Sequence, residues 1–157
     1  MTFQIDSREK ARAITKIVAE FDKQGVKYFV SKLHTGDYLN LDNPRVIIDR
    51  KQSLQEVAGN VCQDHARFVR ELERANEYGI KLIFLVEHGG AIKTLEDVQN
   101  WNNPRLKVSP YAVTGKRLYK IMLTMQEKYG IEWRFCDKRV TGKRIIELLG
   151  AGGDSNA

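Results

Sequence analysis

Three stretches of the chain place carboxylates and a lysine where they could act together: Asp6 with Glu9, Asp37 after Gly36, and Asp49 with Lys51. Asp49 and Lys51 lie two apart at the end of the apolar run Val46-Ile47-Ile48. In a strand they share one face of the sheet, and Arg50 points to the other. Hydrolysis of a phosphodiester needs a divalent cation that polarises the phosphoryl oxygen and supplies hydroxide near neutral pH. Magnesium takes hard oxygen ligands, mostly carboxylates and water. A lysine beside them orients the water or stabilises the charge that develops. A hairpin with one acid on each arm and a lysine two residues after the second acid supplies all three parts. The competing reading is surface charge at strand ends, because Asp-x-Lys alone is common. Its pairing with Gly36-Asp37 on the adjacent strand, and with Asp6-Ser7-Arg8-Glu9 upstream, makes the constellation specific.

The elements that must position these residues follow from hydrophobic periodicity. Thr2–Asp6 alternates as a strand. Lys10–Gln24 repeats Ile14, Ile17, Val18 and Phe21 at helical spacing and stops at Gly25. Val26–Leu33 is a strand, Gly36-Asp37-Tyr38 turns into a strand ending near Leu41, and Asp42-Asn43-Pro44 turns into the strand Arg45–Lys51. Ser53 and Glu56 have the spacing of a capping box for a short helix. Asp64 caps a longer one with Phe68, Leu72 and Ala75 inward. Lys81–Val86 has the near-continuous apolar character of a buried parallel strand. A short helix near Leu95–Trp101, a helix over Tyr111–Tyr129, a strand over Ile131–Phe135 and a helix over Val140–Leu149 complete the order. The pattern predicts an α/β domain over 1–150 with a central mixed sheet flanked by helices, and a flexible tail over 151–157.

The chain has 157 residues, 42% of them hydrophobic and 29% charged, as in a folded single domain and unlike a disordered one. Its longest strongly apolar run, Leu82–Val86, is too short to cross a membrane. Neither a secretory leader nor a disulfide framework is visible with Cys62 and Cys136 alone, so a cytoplasmic setting is expected. The net charge of +6 is uneven: residues 1–100 carry 15 basic and 15 acidic side chains, and 101–157 carry 11 and 5. Such an excess suits either a polyanion on a basic face or plain solubility.

Arg105, Lys107, Lys116, Arg117 and Lys120 form the densest basic stretch, beside Trp101 and Tyr111. These aromatics either stack on unpaired bases or belong to the core. Thr114-Gly115-Lys116-Arg117 and Thr141-Gly142-Lys143-Arg144 repeat one another but are not phosphate-binding loops of the Walker type. Thr141 is expected to cap the last helix, with Lys143 and Arg144 at its N-terminus suited to phosphate, and Thr114 to lie inside its helix. Arg67, Arg70 and Arg74 either face DNA or pair with Glu71, Glu73 and Glu77. Glu87 either stands behind the metal ligands or is a strand-end acid, and the latter is preferred. The Ile121, Met122, Met125 and Tyr129 stripe is core or a dimer face. The three histidines and two cysteines show no zinc spacing.

Ile5-Asp6-Ser7-Arg8-Glu9, Gly36-Asp37-Tyr38 and Ile48-Asp49-Arg50-Lys51 together resemble the XPF-type structure-specific nuclease family, with its pattern D-x-R-E, G-D-Y and E-R-K. That family belongs to the restriction-endonuclease-like PD-(D/E)xK group. The resemblance covers roughly residues 3–149 and is similar to stand-alone phage and prophage members. It implies a restriction-endonuclease-like fold and cleavage of branched, flapped or forked DNA with Mg²⁺ or Mn²⁺. It also implies a homodimer, a replication or recombination partner, and a role in DNA repair or recombination. By position, Asp37, Asp49 and Glu9 would bind metal. Asp6 would complete the acidic cluster, Lys51 would act on the water, and Arg50 would hold the site or touch phosphate. Arg8, Arg67, Lys116, Arg117, Lys120, Lys143 and Arg144 are expected on DNA. The chain departs from the pattern at Asp49, where the family has glutamate, and at Gln55, where it often has an acid; Glu56 is left outside the core site. Many relatives append a tandem helix-hairpin-helix domain for DNA binding; here the grip on substrate is expected from the nuclease domain itself, from dimerisation or from a partner. An idle junction-binding module and a sequence-specific restriction-type enzyme are the alternatives.

Overall fold

The computed structural model describes residues 1–154, with side chains through Gly150. Six strands form one mixed sheet: β1 (Thr2–Ile5), β2 (Lys27–Val30), β3 (Tyr38–Asn40), β4 (Asn43–Lys51), β5 (Lys81–Glu87) and β6 (Glu132–Cys136). Their spatial order is β2-β1-β3-β4-β5-β6. β3 runs antiparallel to both β1 and β4, whereas β4, β5 and β6 run parallel. Helices α1 (Thr15–Lys23), α2 (Leu54–Ala58), α3 (His65–Glu77), α4 (Gly115–Tyr129) and α5 (Thr141–Asp154) cover the sheet. This is the mixed-sheet α/β architecture the sequence predicts.

Alternation along β4 sorts the core into two layers. Ile47 faces a cluster with Phe68, Leu72, Phe84, Leu118, Met122 and Trp133 beneath α3 and α4. Ile48 faces the opposite cluster with Phe3, Ile17, Phe21, Tyr38 and Ile145 beneath α1 and α5. β5 is buried through Leu82–Val86 because helices cover both of its faces.

Several boundaries differ from the sequence expectation for local reasons. The first helix begins at Thr15, after a turn over 11–14. Residues 111–114 are not helical, because Thr114 is the N-cap of α4 and its Oγ accepts from Arg117 N at 3.2 Å. The roles expected of the two threonines are thus exchanged, as Thr141 turns its hydroxyl to Glu87 at 2.6 Å. Both glycines of the repeat serve close packing. A Cβ on Gly115 would lie 2.5 Å from Trp101 O, and one on Gly142 would lie 2.9 Å from Glu20 Cβ. Asp64 makes no side-chain cap, because a π-helical turn over Gly59–Gln63 carries the chain from α2 into α3. α5 continues to Asp154, past the start expected for the tail, and 155–157 lie outside the described residues.

Thr114→Ala removes the α4 cap and is expected to cost about 1 kcal/mol, roughly 2–4 °C in Tm at this chain length. A thermal melt checks it. Thr114→Ser should restore the wild-type value.

Candidate active site

The acids converge because of how β3 is tied to its neighbours. Asp37 N donates to Ile48 O and Asp6 N donates to Asp37 O, both at 2.8 Å, so the ends of β1, β3 and β4 meet. Gly36 takes φ +72°, and a Cβ there would collide with the Ile47 side chain. Only glycine suits both the left-handed backbone and the contact. Asp37 Oδ2 then accepts from Arg50 N at 2.7 Å, which aims the carboxylate along β4 toward Asp49.

These residues line an open cleft of about 450 Å³ with Arg8, Lys10, His34, Arg67 and Glu71 around it. Burial pushes the Asp37 carboxyl up to about 8, and the charges of Asp49 and Glu9 push in the same direction. Asp49 is raised as well, chiefly by burial, with Lys51 opposing. Two buried acids facing each other are poorly tolerated unless a proton or a cation lies between them. Lys51 Nζ sits 3.3 Å from Asp49 Oδ1 and 3.9 Å from Glu56 Oε1. It also lies 5.7 Å from the ring centroids of both Phe68 and Phe84. Aromatic faces and a carboxylate therefore hold this ammonium at the cleft wall.

Arg50 points to the opposite face, as the strand period requires. Its guanidinium grips Glu9 (Nη2 to Oε2, 2.7 Å) and Glu87 (Nη1 to Oε1, 2.6 Å), and all three side chains are under 10% exposed. Thr141 Oγ1 closes the network on Glu87. Glu9, expected as a metal ligand, is thus placed on Arg50, because the fork of donors engages both its oxygens. Asp6 is likewise committed. It accepts from Leu33 N at 2.8 Å and Arg8 Nε at 2.6 Å. Burial raises its pKa, but these partners outweigh the burial and hold it below the usual range. Glu87, read as a simple strand-end acid, is a buried member of the Arg50 network.

The remaining expected residues separate. Arg67 reaches the cleft rim. Among the described residues neither it nor Arg70 or Arg74 is in an ion pair with Glu71, Glu73 or Glu77. Lys116, Arg117 and Lys120 lie on α4, while Lys143 and Arg144 lie on α5 across the sheet, with Arg144 paired to Glu147. The basic last third therefore covers two opposite faces rather than one. Trp101 packs against the core, whereas Tyr111 is 95% exposed. Glu56, Asn60, Asp64 and Glu71 are among the cleft residues that lie outside the expected set. With Arg67 they follow helical spacing through the π-turn, so a polar stripe at that period was the available signal.

The donor set suits a hard divalent cation. Two carboxylates with raised pKa values face open space, and magnesium fills its remaining positions with water. Among the described residues no three His, Cys, Asp or Glu side chains converge as a metal cluster.

A family model described as "ERCC4 domain" matches residues 5–149. Comparison with curated proteins finds no match. Among solved structures, the chain is similar to XPF from Aeropyrum pernix, at 23% identity and a TM-score of 0.68, over 97% of this chain and 65% of that one. It is also similar to XPF from Aeropyrum pernix in complex with DNA, at 21% identity and a TM-score of 0.67, over 98% of this chain and 66% of that one. The chain thus spans just under two thirds of the length of each of these structures. The likeness shows the fold, and the family match, running from the end of β1 beside Asp6 to the last helix, shows that the chain belongs to the ERCC4 domain family.

Proposed function

We propose that the chain is a metal-dependent DNA endonuclease that cuts branched, flapped or forked DNA. One observation carries this reading: the buried Asp37–Asp49 carboxylate pair opens onto the cleft beside a Lys51 ammonium fixed by two aromatic rings. Asp37 and Asp49 would hold Mg²⁺ or Mn²⁺, which supplies stabilisation of the phosphoryl charge and a more acidic water. Lys51 donates from the cleft wall to the attacking water or to a phosphoryl oxygen. Arg67 and Arg8 on the rim take the flanking phosphates, as point contacts that position the backbone. Arg50 lines the cleft with its guanidinium engaged by two acids. It holds Glu9 and Glu87 beneath the site and, through its backbone N–H, fixes Asp37.

The test is a metal-titrated cleavage assay on labelled forks, flaps, four-way junctions, linear duplex and single strands. Cleavage of branched substrates is expected in Mg²⁺ or Mn²⁺, with none in chelator and linear duplex left intact. Binding without cutting under every metal would instead make the chain a junction-binding module. Cutting of linear duplex at one site would make it a restriction-type enzyme.

A further inference from the structure

The helical wall of the active-site cleft has a second side. Glu56, Asn60 and Asp64 face the cleft, while Gln55, Gly59, Cys62 and Gln63 of the same α2–π–α3 run face a separate groove of about 1010 Å³. Only the thickness of one helix, about 10 Å, separates the two. A π-turn forms this wall, and such turns often mark functional sites.

The far wall of the groove is the segment between Asn103 and Arg117. Its lining includes Arg105 and Arg117 and no acidic side chain. Among the described residues neither arginine is in an ion pair. Arg117 is close enough for its charge to act on the Cys62 thiol across the groove.

Tyr111 stands at this groove with its ring almost wholly in solvent. Its loop is nevertheless tightly braced. Buried Asn103 donates from Nδ2 to Val113 O at 2.8 Å and accepts at Oδ1 from Arg105 N at 3.0 Å. Ser109 N donates to Arg105 O at 2.9 Å, and Ala112 N to Ser109 O at 3.2 Å. The fold thus fixes the backbone on both sides of an aromatic ring that buries nothing. A pre-positioned ring flanked by two unpaired guanidinium groups matches what an unpaired base and its phosphates require.

We infer that this groove holds a single-stranded DNA arm, with one base stacked on Tyr111 and the backbone on Arg105 and Arg117. The strand would cross the α2–π–α3 wall between this groove and the cleft. The inference rests on the nuclease reading for why such an arm is present, but its test is independent of cleavage.

Fluorescence anisotropy with a labelled oligo-dT, in chelator, measures it. Tyr111→Ala is expected to lower affinity about tenfold, within the range for one stacked base. Tyr111→Phe and Tyr111→Trp should stay near wild type, because any aromatic face serves. Affinity for a linear duplex should not change in any of the three. Arg105→Ala and Arg117→Ala should each flatten the salt dependence by roughly one phosphate contact. Thermal melts should be unaltered by the Tyr111 changes, since the ring is exposed. Wild-type oligo-dT affinity in Tyr111→Ala, a loss in Tyr111→Phe equal to that in Tyr111→Ala, or no single-strand binding by the wild type would each overturn the inference. A wild type that never cuts, yet whose oligo affinity falls in Tyr111→Ala and holds in Tyr111→Phe, would sink the nuclease reading and keep the groove. Normal cutting with unchanged oligo affinity in Tyr111→Ala would do the reverse.

Discussion

Asp37→Asn and Asp49→Asn are each expected to abolish cleavage, by a factor on the order of 10³ or more, while making the metal-free protein more stable. The two effects have one cause. Burial and the neighbouring acids raise the Asp37 carboxyl to about 8, so the folded state retains a proton that the unfolded chain has released. A group whose folded pKa lies above its unfolded value near 4 binds more protons when folded, and stability then falls as pH rises. The loss accumulates between about pH 4 and pH 8 and levels off above that. Asparagine keeps the oxygen that accepts from Arg50 N but carries no charge. The variant should therefore gain at least about 1 kcal/mol at neutral pH in chelator, roughly 2–4 °C in Tm. Its advantage over wild type should shrink toward pH 5. Adding Mg²⁺ should raise the Tm of wild type and leave both variants unmoved. Differential scanning fluorimetry across pH, with and without metal, reads all of this without a substrate. A less stable Asp37→Asn protein at pH 7.5 in chelator would contradict the strained-pair account.

The order of elements was legible because it rests on local rules. Period-two alternation located β4, and with it the opposed faces of Asp49 and Arg50 that the structure shows. Helical periodicity located α1, α3 and α4, although α1 and α4 begin at Thr15 and Gly115 rather than at the expected Lys10 and Tyr111. The hairpin acids were legible because the chain turns back between Asn40 and Asn43, immediately after the short β3, so sequence proximity is spatial proximity. What sequence could not resolve is competition for a partner. Glu9 and Asp6 carry the same charge as Asp37, but Glu9 meets Arg50 from 41 residues away and Asp6 meets Leu33 N from 27 residues away. Both are consumed by contacts that no local rule predicts. Glu87 was underestimated for the same reason, since its partners Arg50 and Thr141 come from other strands and helices. The sign and number of basic residues in the last third were readable, whereas their division between α4 and α5 on opposite layers depends on the crossover through β6.

That long-range network also predicts where the protein is most fragile. Arg50→Met is expected to destabilise the fold by about 3–5 kcal/mol, because it leaves Glu9 and Glu87 buried with no countercharge. The volume is nearly conserved, so the cost is electrostatic rather than a cavity. Arg50→Lys should recover only part of the loss. One ammonium cannot reproduce a fork that donates to Glu9 from Nε and Nη2 and to Glu87 from Nη1. The decisive variant is the triple Arg50→Met, Glu9→Gln, Glu87→Gln. With the charges gone, amide groups meet an apolar neighbour, and most of the lost stability should return. Urea unfolding of the four proteins separates the explanations. If the triple is as unstable as Arg50→Met, then packing around the Arg50 stem, and not the orphaned carboxylates, sets the cost. If it recovers, the trio is a positioning device: it fixes the backbone of β4 one residue from Asp49 and Lys51 at a cost in buried charge. Cleavage by the recovered triple should then still fall short of wild type, because the neutral network no longer holds β4 as rigidly beneath the Asp37–Asp49 pair.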